Sequence, residues 1–148
     1  MEERYKTVAQ SRTEQTHIVF SGYINGTGRL FGGQLVAWMD VVAAVVAKRH
    51  SECEVTTVSI DKMDFAAPAK LNDTIILIGK IKNVGNTSMN IKIKAFVEKL
   101  NGERKLISTA DFTMVAMCKG DMPCRVPRLK FVSKKEEEES KEYIKNKR

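Results

Sequence analysis

Arg29-Leu30-Phe31-Gly32-Gly33-Gln34-Leu35-Val36-Ala37-Trp38-Met39-Asp40-Val41-Val42-Ala43-Ala44-Val45-Val46-Ala47 decides the reading of this chain. It predicts one long helix, opened by two glycines and closing near Lys48-Arg49-His50, where cations suit the negative end of the helix dipole. From Leu35 to Ala47 every residue except Asp40 is apolar. A helix that is apolar all round belongs in a protein interior, and this one is too short and interrupted to span a bilayer. A lone carboxylate halfway along such a helix is costly unless it is bonded, paired or neutralised. Its neighbours one turn away are Val36, Ala37, Ala43 and Ala44, so it looks over a low floor. Two readings stay open: a structural anchor bonded to a strand, or a working group in a cleft.

Outward from the helix, His17 to Phe20 reads as a short strand, followed by the glycine-punctuated loop Ser21 to Gly28. After the helix, Val55 to Ile60 is β-branched and strand-like. Thr74 to Lys82, Met89 to Ala95 and Lys105 to Met117 follow as further strands, separated by turn residues. Asn101-Gly102 is the strongest hairpin signal and asks for positive φ at both positions. The layout is a short strand, one buried helix, then four long strands joined by hairpins: an α+β domain whose antiparallel sheet curls about the helix. We expect one domain over residues 1–130, with a polar start over Met1 to Gln15 that is poorly ordered at its beginning, and a charged tail over 131–148. From Ser133 onward that tail is expected as a solvated helix or as disorder.

The chain has 148 residues and a formal net charge of +7, with the excess in the body because Glu136 to Glu139 nearly balance the tail. A basic body attracts polyanions, including phosphorylated cofactors. Lys80, Lys82, Lys92 and Lys94 alternate along two strands and read as a solvated face. Nucleic-acid binding is not expected, since no stacking aromatic accompanies them. Cys53, Cys118 and Cys124 lack metal-ligand spacing, which suggests free thiols, no disulfide framework and a reducing compartment, with cytoplasm as the default. No apolar leader follows Met1, and no membrane association is expected.

Several chemistries fail on spacing. Gly26 and Gly28 are followed by Phe31 where a dinucleotide fingerprint needs glycine, and Gly28 and Gly33 are followed by Gln34-Leu35 instead of a phosphate-loop Lys-Ser/Thr. His17 and His50 sit in no zinc-like cluster, so no metal is expected. No Gly-x-Ser-x-Gly elbow is present. Cys53 lies between Glu52 and Glu54, which disfavours its thiolate. What remains is Asp40, helped by the Asn25 loop, and the N–H groups near Gly32 and Gly33, which can hold an anion or a polarised carbonyl oxygen.

The pattern Asn25-x-x-Gly28-x-x-Phe31-Gly32-Gly33, with Asp40 seven residues after the last glycine, resembles the hotdog-fold acyl-CoA thioesterases of the cytosolic acyl-CoA hydrolase group. Val55 to Asp61, Phe65-Ala66-Ala67-Pro68 and Asn86 to Met89 extend the likeness across about His17 to Pro127. The resemblance implies a helix wrapped by an antiparallel sheet and a dimer whose two sheets join, usually built into a trimer of dimers. It implies hydrolysis of acyl-CoA, with CoA only as part of the substrate and no separate cofactor. It also implies catalytic Asn25 and Asp40 facing each other across subunits, with Asp40 as general base or nucleophile. Carbonyl contacts then fall on Gly32 and Gly33, and CoA contacts on Val55, Thr56, Thr57, Thr87, Ser88 and Met89. The rival readings are a hotdog hydratase or dehydratase, which needs an active-site histidine, and a non-catalytic acyl-CoA-sensing module.

Overall fold

The computed structural model describes residues 3–146. Its order is β1 (Tyr5–Thr7), α1 (Val8–Ser11), β2 (Thr13–Ile18), a 3₁₀ turn (Ser21–Tyr23), α2 (Gly32–Ser51), β3 (Glu54–Phe65), β4 (Thr74–Val84), β5 (Ser88–Glu98), β6 (Arg104–Cys118), β7 (Met122–Pro123), β8 (Arg128–Lys130) and α3 (Lys134–Asn146). The main sheet runs β2-β4-β5-β6-β3, all antiparallel, with β7 beside β6 and a separate parallel pair of β1 and β8.

The helix is where the sequence puts it. Glu52 takes the left-handed conformation (φ 59°) and returns its N–H to the Lys48 carbonyl at 2.8 Å, which ends α2. Leu35, Trp38, Met39, Val42, Ala43, Val46 and Ala47 are buried at helical spacing against the concave side of the sheet. They meet Ile75, Leu77, Ile91, Ile93, Phe112 and Met114, the inward residues of β4, β5 and β6. Gly79 marks the closest approach: a Cβ there would lie 2.7 Å from Val42 and 2.9 Å from Ile93. Trp38 is held from two sides, stacked on His17 at 4.2 Å and met edge-on by Tyr23 at 5.2 Å.

The expectation of burial all round is corrected: Ala37 is exposed and Val41 is 52 % exposed, forming an apolar stripe on the far side of α2. Hydropathy reports that a surface avoids water, not which surface covers it.

The hairpin reading is right for β4-β5 and β5-β6 and wrong for β3. β3 pairs with β6, across the sheet from β4, and becomes an edge strand. The link Ala66–Asp73 is long enough to carry the chain there, whereas a tight turn would have forced adjacency. At Asn101-Gly102 only Gly102 takes positive φ (90°). The Gly102 N–H bonds the Lys99 carbonyl and Lys99 pairs with Glu103, so the loop holds one residue more than a two-residue turn allows.

Other expectations also change. From Tyr5 the polar start is ordered, with Val8 and Ser11 buried, while Met1 and Glu2 lie outside the described residues. Cys118 and Cys124 form a disulfide, because the β6-β7 turn brings their Cα atoms to 5.6 Å, and Cys53 stays free. The tail helix α3 is not solvated on all sides: it lies on the outer sheet face, burying Tyr143 and Ser140, and Lys82 Nζ donates to Glu139 at 2.6 Å. No helix among the described residues is long and apolar enough to cross a membrane.

Candidate active site

Asp40 is half-buried in the gap between α2 and the edge strand β3. The Thr57 hydroxyl donates to Asp40 Oδ1 at 2.7 Å and lies 3.3 Å from Met114 Sδ. A β-bulge aims that hydroxyl. Thr57 faces Met114 and Ser59 faces Thr113, leaving Val58 as the extra residue. Val55 and Thr57, opposite the buried Ala116 and Met114, therefore share the concave side, and Ile60 rejoins it opposite Phe112. Without the extra residue the later half of β3 would turn its other side to the helix.

The turn after β4 belongs to the same end of the sheet. Ser88 and Thr56 both lie opposite Val115, one strand apart on either side of β6, and Met89 and Thr57 both lie opposite Met114. The Ala116 N–H donates to the Thr87 carbonyl at 3.0 Å, and Arg128 donates to the Gly85 carbonyl at 2.6 Å, fixing the turn. Met89 itself is fully buried, backbone and side chain alike, so it supports this end from the core and Thr87 and Ser88 are what the turn presents. Asp40, Val55, Thr56, Thr57, Thr87, Ser88 and Met89 thus form one cluster.

Asn25, Gly32 and Gly33 form another. Asn25 Oδ1 accepts from the Thr27 N–H at 2.9 Å, the Thr27 hydroxyl at 2.7 Å and the Arg29 N–H at 3.2 Å. With Gly28 at φ 77°, these bonds fold the loop back on itself. The carboxamide NH₂ of Asn25 makes no hydrogen bond among the described residues and is left to face outward. At the helix mouth the Gln34 and Leu35 N–H groups both turn to the Phe31 carbonyl, so Gly32 and Gly33 carry the first free N–H groups of α2. Asn25 and Gly32 line a cleft of about 480 Å³, closed by Leu35, Phe65, Pro68 and Ile107. Those walls were missed in the sequence; the small-residue run Ala66-Ala67-Pro68-Ala69 was the available signal.

The two clusters do not meet within one chain. Asp40 stands eight residues beyond Gly32, roughly 12 Å along the helix, and does not line the cleft. One small ester group cannot touch both. His50, the histidine a hydratase reading would need, is fully buried and bonds the Pro127 carbonyl at 2.8 Å. Burial, and the nearby charges of Lys6, Arg128 and Arg4, hold its pKa below the ordinary histidine range.

Comparison with known proteins bears on the family and the fold. Residues 27–102 match the thioesterase superfamily model. The chain is 36 % identical over 121 residues to the uncharacterized acyl-CoA thioester hydrolase YkhA of Bacillus subtilis, covering 81 % of this chain and 70 % of that protein. A crystal structure of an apo-hexameric acyl-CoA thioesterase superposes with a TM-score of 0.92 at 32 % identity, covering 97 % of this chain and 93 % of the other. The acyl-CoA hydrolase of Staphylococcus aureus, in complex with butyryl coenzyme A and coenzyme A, does so with a TM-score of 0.90 at 25 % identity, over 95 % and 87 % of the two chains. With the helix, the curled sheet and the sequence match in agreement, the chain belongs to the thioesterase superfamily.

Proposed function

We propose that this chain hydrolyses the thioester of acyl-CoA to the free carboxylic acid and CoA, at a site completed by a second copy of itself. The observation that carries this reading is Asp40: a carboxylate held by Thr57 at the open side of a buried helix, beside an edge strand, yet out of reach of its own chain's cleft. The edge strand β3 leaves Val58 60 %, Ile60 41 % and Phe65 58 % exposed. Unpaired strand edges of this kind seek a partner.

Pairing β3 with a second β3 about a two-fold axis runs the strands antiparallel. Because Gly32 sits against the Phe65 end of β3 and Asp40 against the Thr57 end, that pairing carries the cleft of one copy toward the Asp40 of the other. The hexameric relative and the acyl-CoA hydrolase named above support further assembly of such dimers and the choice of substrate.

In the completed site Asp40 takes a proton from water, and the hydroxyl oxygen adds to the thioester carbon. The Gly32 and Gly33 N–H groups of the other copy receive the oxyanion, the Asn25 NH₂ orients the carbonyl, and the C–S bond breaks to release the CoA thiolate, which is then protonated. Direct attack by Asp40, giving a mixed anhydride that water opens, is the variant of this route. Val55, Thr56, Thr87 and Ser88 then flank the CoA arm, with Met89 buried beneath them.

The test is free-thiol release from a short-to-long acyl-CoA series by wild type and Asp40→Asn. Loss of a positioned base should lower the rate by on the order of a hundredfold or more. Binding of CoA esters without thiol release by wild type would overturn the activity, and full rate in Asp40→Asn would overturn the residue's role.

A further inference from the structure

The outer face of the sheet carries a second cavity, of about 240 Å³, between β4, β5 and the underside of α3. Six cations line it: Arg12, Lys80, Lys82, Lys92, Lys94 and Lys135, with the carboxylate of Glu139; Lys82, Lys92, Lys94 and Glu139 also line an adjoining cavity whose other walls include Asp111 and Glu142. That carboxylate is already taken by Lys82, and Arg12 reaches Glu14 at 3.5 Å. Lys80, Lys94 and Lys135 make no salt bridge among the described residues. Lys80 lies directly opposite Lys92, a like-charge pair that opposes strand pairing, and Lys94 follows two residues along the same face; Lys92 has Asp111 opposite it on its other side, whereas Lys80 and Lys94 face no carboxylate from β5 or β6. Partial burial, and after it the charges of Lys82 and Arg12, make the Lys80 ammonium easier to deprotonate than usual. Gly79 and Ile93 point at α2, so the intervening lysines point the other way and the sheet separates this cavity from the cleft.

We propose that this cavity binds an anion of two or three linked phosphate groups. The charge selects the class. Lys80 faces Lys92 across the strands, Lys94 lies two residues further along, and Lys135 closes from above on α3. One phosphate group balances only part of this positive charge, whereas a short phosphate chain brings several negative groups on one molecule. Phe96 is the one aromatic in the lining, too few for a run of stacked bases.

The experiment titrates inorganic tripolyphosphate, and separately CoA, into the intact protein by calorimetry at about 0.1 M salt. It compares wild type, the double variant Lys80→Gln/Lys94→Gln, and the surface control Lys105→Gln. Tripolyphosphate should bind wild type and the control alike and bind the double variant about tenfold more weakly. If CoA affinity stays the same in the double variant, the site takes free oligophosphates; if it falls in parallel, the diphosphate of CoA is the ligand. Should the double variant fail to fold, Lys135→Gln on α3 gives the same reading with about threefold loss. Absence of binding to wild type overturns the proposal, as does an unchanged affinity in the variants. Break-up of the oligomer in the double variant also overturns it, since the face would then be a contact between copies.

Discussion

The hydroxyl of Thr57 donates to Asp40 Oδ1 across the gap between α2 and β3, at 2.7 Å, from the residue just before a β-bulge. One oxygen of the half-buried carboxylate is thereby held by a hydroxyl, which is how a base is positioned for use. Removing the donor while keeping the shape, with Thr57→Val, should lower thiol release about tenfold with the fold intact, and Thr57→Ser should restore most of it. A Thr57→Val variant as fast as wild type would make the bond purely structural.

The separation of Asn25 and Asp40 predicts complementation between inactive chains. Asn25→Ala and Asp40→Asn homodimers should each be slow. After joint refolding, half of a random set of dimers is mixed, and each mixed dimer holds one intact site, so activity should return to about a quarter of wild type. No recovery on mixing would place both residues' work within one chain.

Disrupting the edge should disable the site without touching its residues. Ile60→Lys puts a charge on the edge strand β3 at a residue that is 41 % exposed in the single chain. The variant should elute as a smaller species in size-exclusion chromatography and lose thiol release in proportion, with unchanged circular dichroism.

Gly79 predicts a stability effect of known sign. A Cβ at that position meets Val42 Cγ1 at 2.7 Å, Ile93 Cδ1 at 2.9 Å and Val46 Cγ2 at 3.0 Å, all packed branches that cannot swing away. Gly79→Ala should cost about 1–3 kcal/mol, read as a lower thermal midpoint. Gly22→Ala, where nothing lies within 4 Å, serves as the control and should change little.

His50 predicts an acid limb in stability. Burial favours its neutral form, so the folded pKa lies below 6.5. Above pH 6.5 both folded and unfolded chains hold it neutral and its contribution is complete. As pH falls through 6.5 toward the lower folded value, the unfolded chain takes up the proton first and stability declines. Denaturant midpoints measured from pH 7.5 to pH 5 should show this slope. His50→Gln should flatten it, at some cost to the Pro127 hydrogen bond.

The sequence by itself determined the helix, its glycine opening, its closing cations, and the antiparallel strands, because hydrophobic period and turn chemistry are local properties. It also singled out Asp40, since one carboxylate in an apolar run needs a reason wherever it folds. Only the tertiary structure decided that β3 leaves its neighbour β4 for the far edge, that a bulge at Val58 aims Thr57, that Cys118 and Cys124 bond, and that α3 roofs a basic cavity instead of standing in water. Each of these rests on contacts between residues distant along the chain, set by how the sheet curls. The apolar stripe on α2 lies one level further out: its residues announce that they will be covered, and a single chain leaves them bare.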